Sequence, residues 1–309
     1  MDFVLDVCDT YLLDSVWASL IPLSAFAIHN ASSTGIPQDS STWSHLVFHL
    51  PHPQLPLNFA TSPHLSGRTH YDRHPPALLR LCGLSYRYIF NHDMMRHPRF
   101  LKGQVKLEIQ SSLLAFPGII LLTLPWFEAE VLGYSRLYNE VETYGYFYLF
   151  ASVPLFLLFT EYGIYWVHRG LHLPFLYKHL HKPHHKWIIP TPFASHAFHP
   201  LDGYAQSIPI HVFVFLFPMH RFMYLGLFVV VNCWTIFIHD SDMITGHPLE
   251  KVINGPAHHT LHHMYFTVNY GQYFTWADRV GNSYRQPESG LDPLLEVRQA
   301  DAEKKLKRE

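Results

Sequence analysis

Four long, strongly apolar stretches of this chain contain no Asp, Glu, Lys or Arg: residues 109–127, 143–160, 203–220 and 222–238. Each approaches the ~20 apolar residues that a helix needs to cross a bilayer. Inside hydrocarbon every backbone N–H and C=O must be bonded within its own segment, so spans of this length are helical. The expected fold is therefore all-α: an integral membrane helical bundle of two membrane hairpins. Four buried helices of a soluble core would be equally hydrophobic. Two details favour the membrane. The last two stretches abut at Arg221 with almost no polar turn, and Trp126, Tyr144, Tyr146, Tyr148, Tyr204, Tyr224 and Trp234 crowd the stretch ends like an interfacial belt. Residues 15–28 form a fifth, shorter apolar stretch, either an extra N-terminal span or an interfacial helix.

Loop charges orient the bundle. Between Gly67 and Lys106, Arg68, Arg73, Arg80, Arg87, Arg96, Arg99, Lys102 and Lys106 stand against only Asp72 and Asp93. The connection 128–142 reverses this balance, with Glu128, Glu130, Glu140 and Glu142 against Arg136. Arg169, Lys178, Lys182 and Lys186 follow the second stretch. The positive-inside rule makes the first and third of these segments cytosolic and the second lumenal. If residues 15–28 also span, the Asn30-Ala31-Ser32 sequon is cytosolic and unused.

Only 15% of the 309 residues are charged and the net charge is −2, which excludes a disordered chain, a coiled coil and a nucleic-acid binder. Cys8, Cys82 and Cys233 are too few and too scattered for a disulfide framework or a thiolate zinc site. The acidic start (Asp2, Asp6, Asp9, Asp14) is not the basic lead of a signal peptide. Lys305 and Lys307 near the carboxyl end have the spacing of an endoplasmic-reticulum retrieval signal read from the cytosol; a solvated charged tail has the same composition.

The chain's 25 histidines outnumber its 22 Lys and Arg together. Three clusters stand out: His168 with His172, His181 with His184 and His185, and His258-His259 with His262-His263. Residues at i, i+3 and i+4 share a helix face. One such cluster on a surface helix is unremarkable. The eight imidazoles at these spacings (all of those named except His258), beside membrane-helix ends on one side, would suffer desolvation and mutual repulsion when protonated, and a metal removes that conflict. Eight exceed the four positions of a structural zinc, so two metals are implied. Imidazole suits iron, copper, nickel and zinc alike. HExxH, GxGxxG and the phosphate-loop pattern are absent.

The three boxes, their order and their position after apolar hairpins resemble the integral-membrane fatty acid hydroxylase and sterol desaturase superfamily. Thr191-Pro-Phe-Ala-Ser-His-Ala-Phe-His-Pro-Leu-Asp-Gly203, Trp234-Thr-Ile-Phe-Ile-His-Asp240, Ala257-His-His-Thr-Leu-His-His-Met-Tyr-Phe266 and Asn269-Tyr-Gly-Gln272 are similar to its C-5 sterol desaturase branch. Pro98-Arg-Phe-Leu-Lys102 with Gln104 matches that branch's entry to the first hairpin. The resemblance covers roughly residues 96–284.

It implies an O2-dependent enzyme of the endoplasmic-reticulum membrane. Such an enzyme introduces the 5,6 double bond into a delta-7 sterol at a di-iron centre, with zinc as an artefactual replacement. Electrons come from NADH through a reductase and a cytochrome b-type donor, and the histidine-rich cap and C-terminus face the cytosol. Carried over residue by residue, His168, His172, His181, His184, His185, His259, His262 and His263 are metal ligands with catalytic roles, and His239 is a further ligand. Relatives place another ligand where this chain has Met243, which leaves His247 and His258 as substitutes. His196, His199, Asp202 and Asp240 are candidates to orient the ligands. Trp276-Ala-Asp-Arg279 has one residue more than the branch's Trp-Asp-Arg run.

The expected organisation is an N-terminal apolar segment and loop (1–67), a basic juxtamembrane region (68–108), a membrane and catalytic domain (109–284) and a charged cytosolic tail (285–309). Two other readings compete: a sister hydroxylase or sterol methyl oxidase with the same boxes, and a non-catalytic metal-binding membrane protein. The latter calls for ionisable residues lining a path through the spans. Here the spans carry only His211 and His220.

Overall fold

The structure, a computed structural model, describes residues 77–308; the apolar stretch at 15–28, the Asn30 sequon and the loop to residue 67 lie outside the described residues. Eight helices are labelled here: α1 (Ala77–Tyr88), α2 (Gln104–Val131), α3 (Gly145–Leu171), α4 (Pro200–Leu216), α5 (Arg221–Ile238), α6 (Pro256–Tyr265), α7 (Trp276–Val280) and α8 (Pro293–Leu306). Extended structure among the described residues is limited to one isolated bridge and a parallel pair of two-residue strands, β1 (Leu137–Tyr138) and β2 (Met219–His220).

That small pair has a clear architectural use. It joins the α2–α3 connection to the α4–α5 connection, assisted by Arg136 N–H donating to the Val214 carbonyl at 2.7 Å and the Tyr148 hydroxyl donating to the Pro218 carbonyl at 2.9 Å. The histidine clusters lie at the other ends of α3 and α5.

Helices α2, α3 and α5 are long and apolar enough to cross a membrane. The remaining stretch, 203–220, forms α4, which stops at 17 residues. That length rises about 25 Å, short of the ~30 Å hydrocarbon core. The reason is local: Phe217 precedes Pro218 and adopts extended backbone (φ −122°, ψ 139°), which ends the helix. Helices α2 and α3 overrun their charge-free stretches at both ends or one, and so carry Glu108, Glu130 and Glu161 into buried positions. Helix α4 packs against both α2 and α3. Gly163 permits the closest approach, because a Cβ there would lie 2.6 Å from the Pro209 ring.

Residues 293–306 of the expected tail form α8. Asp292 caps it, accepting from Leu294 N–H, and Pro293 occupies its first turn. Arg99 and Arg96 pair with Glu296 and Asp301 at 2.8 and 3.1 Å. Exposed pairs of this kind contribute little. The firmer anchor is apolar: Leu294 packs on Phe90, Met94, Ile189 and Met264.

Candidate metal centre

Helix α3 continues through the first histidine box, with His168 in its last turn and His172 as its C-cap. The chain then winds through a wide turn, Tyr177–His181, and a tighter one carrying His184 and His185. His239 caps the end of α5. Helix α6 is buried from Pro256 to Met264, so its polar face is an interior surface.

These elements bring nine rings together in two groups. His168, His172, His181, His185 and His262 form one; His184, His239, His259 and His263 form the other. Within each, one nitrogen per ring lies within 4.8 Å of all the others. Neighbours in sequence are divided between the groups: His184 from His185, and His262 from His263.

The outer nitrogens reveal what the inner ones can do. His168 Nδ1 lies 2.9 Å from the Tyr270 carbonyl, and His181 Nδ1 lies 2.7 Å from Asp202 Oδ2. Carbonyls and carboxylates only accept, so each Nδ1 holds a proton, and in its neutral form each ring presents a bare Nε2. Those two Nε2 atoms are 3.2 Å apart. Facing lone pairs repel unless a cation lies between them. Protonating a ring would instead place a charge among buried imidazoles.

The second group repeats the logic. His239 Nδ1 donates to the Thr235 carbonyl at 2.6 Å and His263 Nδ1 to the Trp187 carbonyl at 2.8 Å. Their bare Nε2 atoms both approach His259 Nε2, at 3.0 and 3.2 Å. A single His259 proton satisfies only one of them. Burial first, and then neighbouring imidazoles, hold His184, His185, His259, His262 and His263 far below the ordinary histidine pKa. Convergent neutral imidazoles are the donor set of a transition metal, so the residues present fit two such ions.

Two buried carboxylates hold the wall of the five-histidine group. Asp278 accepts from the N–H groups of Tyr270 and Gly271 at 2.9 and 2.8 Å. Glu161 accepts from Gln272, Tyr273 and Phe274 at 3.2, 2.6 and 3.3 Å. Successive amides are thereby fixed, and with them the Tyr270 carbonyl that orients His168. The Val268 carbonyl, just before this segment, orients His262 through a 2.7 Å bond. Gly271 is required because a Cβ there would sit 2.6 Å from Glu161 Oε1. Sequence reasoning missed Glu161. Its signal was a lone acid between a charge-free stretch and the first box.

The remaining candidates fall elsewhere. Asp202 is fully buried on His181. Asp240 instead accepts from Asp242 N–H, and burial lifts its carboxyl to about 7. His196 bridges Ser195 and Asn232 outside both groups. His199 caps α4 and His247 caps the short helical turn Pro248–Lys251, accepting from Leu201 and Leu249 N–H respectively. His258 faces Tyr284, with ring centroids 5.8 Å apart, and joins neither group. Met243 packs with Ala257 and Leu261, so the position of the relatives' additional ligand is apolar here. The inserted residue before Asp278 leaves its carboxylate on the Tyr270–Gly271 amides, and Arg279 stacks 3.8 Å over Tyr284.

Residues 153–283 match the fatty acid hydroxylase family. The chain is 48% identical over 318 residues to Delta(7)-sterol 5(6)-desaturase ERG3B of Gibberella zeae, covering 99% of this chain and 96% of that protein. It is 44% identical over 288 residues to Delta(7)-sterol 5(6)-desaturase erg31 of Schizosaccharomyces pombe, covering 93% and 85%. Against human lathosterol oxidase it is 52% identical over 220 residues, covering 70% and 74%. No solved structure matches. With its histidine groups inside the matched segment and its likeness running nearly end to end, the chain belongs to the Delta(7)-sterol 5(6)-desaturase and lathosterol oxidase group of the fatty acid hydroxylase family.

Proposed function

We propose that this enzyme uses O2 to introduce the 5,6 double bond into a delta-7 sterol, with iron held in both histidine groups. The observation that carries this reading is the convergence of nine histidine rings into two adjacent donor sets. Removing hydrogen from unactivated C–H bonds is beyond side-chain acids and bases; bound iron supplies that redox capacity. His168, His172, His181, His185 and His262 would hold one ion, and His184, His239, His259 and His263 the other. Asp202 and the carbonyls of Tyr270, Val268, Thr235 and Trp187 fix the ring tautomers, keeping the inward nitrogens free of protons. Burial of these rings keeps water from the reacting region.

The apolar helices support a lipid substrate reached from the bilayer. On this reading α2–α3 and α4–α5 are the two membrane hairpins, with the 17-residue α4 entering the bilayer beside its longer neighbours without crossing its full width. The histidine cap lies on the cytosolic face of the endoplasmic-reticulum membrane. Electrons arrive from NADH through a reductase and a cytochrome b-type donor. Residues 109–284 make up the catalytic domain, preceded by a basic juxtamembrane region (68–108) and the N-terminal segment (1–67), and followed by a cytosolic C-terminal region (285–309).

A sister hydroxylase or methyl oxidase would use the same ligands, so the product must be measured. Purified protein without added zinc is expected to hold two irons per chain and to convert a delta-7 sterol to its 5,7-diene in the presence of O2. Two irons with a hydroxylated product would favour the sister enzyme. Inert zinc, no oxygen uptake and normal 5,6-unsaturated sterols in a knockout would favour a non-catalytic metal protein.

A further inference from the structure

The desaturation is unbalanced as far as this chain alone can run it. Two C–H bonds break and one C=C bond forms, so the sterol gives up two electrons and two protons. Reducing O2 to two waters takes four of each. Two electrons must therefore enter from outside, with two protons from solvent. The sequence has no GxGxxG or phosphate-loop pattern for a bound nucleotide reductant. The electrons must cross the protein surface close to the histidine groups.

One surface stands out for that entry. From Tyr162 to Leu201 the chain contains no Asp or Glu, while it contains Arg169, Lys178, Lys182 and Lys186. The three lysines recur every fourth residue and all are exposed. The ion pairs among the described residues include none of them. Lys186 lies 4.7 Å from the Trp187 ring centroid, which steadies its stem without neutralising its charge. Interleaved with the lysines, His181, His184 and His185 are buried and point into both metal groups. One chain element thus has ligands on its inner side and unpaired cations on its outer side.

We propose that Lys178, Lys182 and Lys186 form the docking surface for an acidic one-electron carrier protein, an inference that rests on the oxygenase reading above. Unpaired like charges on one face raise the encounter rate of an oppositely charged partner about 10- to 1,000-fold, and the gain falls with salt. The competing occupant is an anionic bilayer surface, since Leu173 and Phe175 nearby are 59% and 74% exposed. The protein partner is favoured because the lysines lie directly over the turns that bear the ligands, where electron delivery is needed.

The test uses the full-length protein in nanodiscs of neutral phosphatidylcholine, with the soluble haem domain of an acidic cytochrome b-type protein as probe. Lys178→Glu/Lys182→Glu/Lys186→Glu is expected to reduce the second-order rate of haem reoxidation at least ~10-fold at low salt and to flatten its salt dependence. Product formation driven by a small diffusible reductant should equal that of the parent. Probe binding, followed by fluorescence anisotropy, should weaken in parallel and requires no turnover. An unchanged reoxidation rate and unchanged binding would overturn the proposal. So would a variant that loses only its attachment to phosphatidylserine vesicles while its behaviour in neutral discs is intact. If the iron-loaded parent makes no diene with the diffusible reductant, the oxygenase reading fails. The anisotropy result still judges the docking surface in that case.

Discussion

The two histidine groups draw on the same boxes but differ in their surroundings. The five-membered group contains His172, the one ring of the nine that is not buried, and the one ring bonded to a carboxylate, His181 on Asp202. The four-membered group is fully buried, and its fixed outer nitrogens meet only backbone carbonyls. An anionic partner makes an imidazole a stronger donor, and an accessible ring marks where substrate or O2 can approach. The five-membered group is thus the more electron-rich and more open half of the centre. The other half is the closed one.

Acidification should abolish the difference by emptying both groups. Burial holds His239 at about 3 and His258 at about 4, whereas unfolded histidine titrates near ~6.5. Between those values the unfolded chain binds more protons than the folded one, so stability falls as pH drops through ~6.5 towards ~4. Above that window the slope disappears. Metal binding competes with the same protons. In that window the folded rings stay unprotonated, so iron should leave only with unfolding. Iron content and folded fraction measured from pH 8 to about 5 should decline together; iron lost from protein still folded at about pH 5 would contradict the buried-imidazole assignment.

Single ligand losses should separate the groups. His168→Ala and His263→Ala are each expected to drop iron from two to one per chain, with activity falling beyond the ~100-fold typical of losing an outer partner. The distinguishing measurement is spectroscopic: the surviving iron should have different signatures in the two variants. Identical signatures would mean that the groups are not independent sites.

Asp202→Asn should weaken metal retention by about 10- to 100-fold in a chelator challenge, with the first-released ion coming from the five-membered group. Glu161→Gln should reach the same group from farther away. An amide placed against three N–H donors costs about 1–3 kcal/mol, read as lower thermal stability, and loosens the Tyr270 carbonyl on His168. Glu161→Asp is expected to recover part of the metal content. The smallest effect is for His247→Ala, which removes a helix cap worth about 1 kcal/mol or less and leaves both irons in place.

The centre's donor list was legible because ligation imposes spacing: i, i+3 and i+4 on helical turns can be read without coordinates. Its partition was not. His184 and His185 look equivalent in sequence, yet consecutive side chains diverge and enter different groups. The orienting partners were harder still, since carbonyls exist at every residue and only the path of the chain selects Tyr270 or Trp187. Asp202 and Asp240 follow the same box logic, but α4 starts at Pro200 and directs Asp202 onto His181, while Asp240 turns to its own loop. For the fold, charge-free runs located the helices, whereas their ends depended on single residues such as Pro218. Residues 293–306 carry mixed charge and no long apolar run, so α8 was hidden behind its composition.

The division of adjacent histidines has a mechanical consequence. His184 and His185 are joined by one peptide unit, as are His262 and His263, and each such unit fixes its Cα atoms about 3.8 Å apart. Two covalent rungs therefore tie one donor set to the other, so the two sets are coupled through the backbone as well as through the packing of helices. Strain imposed at the open half is passed directly to the closed half. A shift of one donor set that leaves the other undisturbed must be taken up in the side-chain torsions of these four residues or in the backbone torsions beside them.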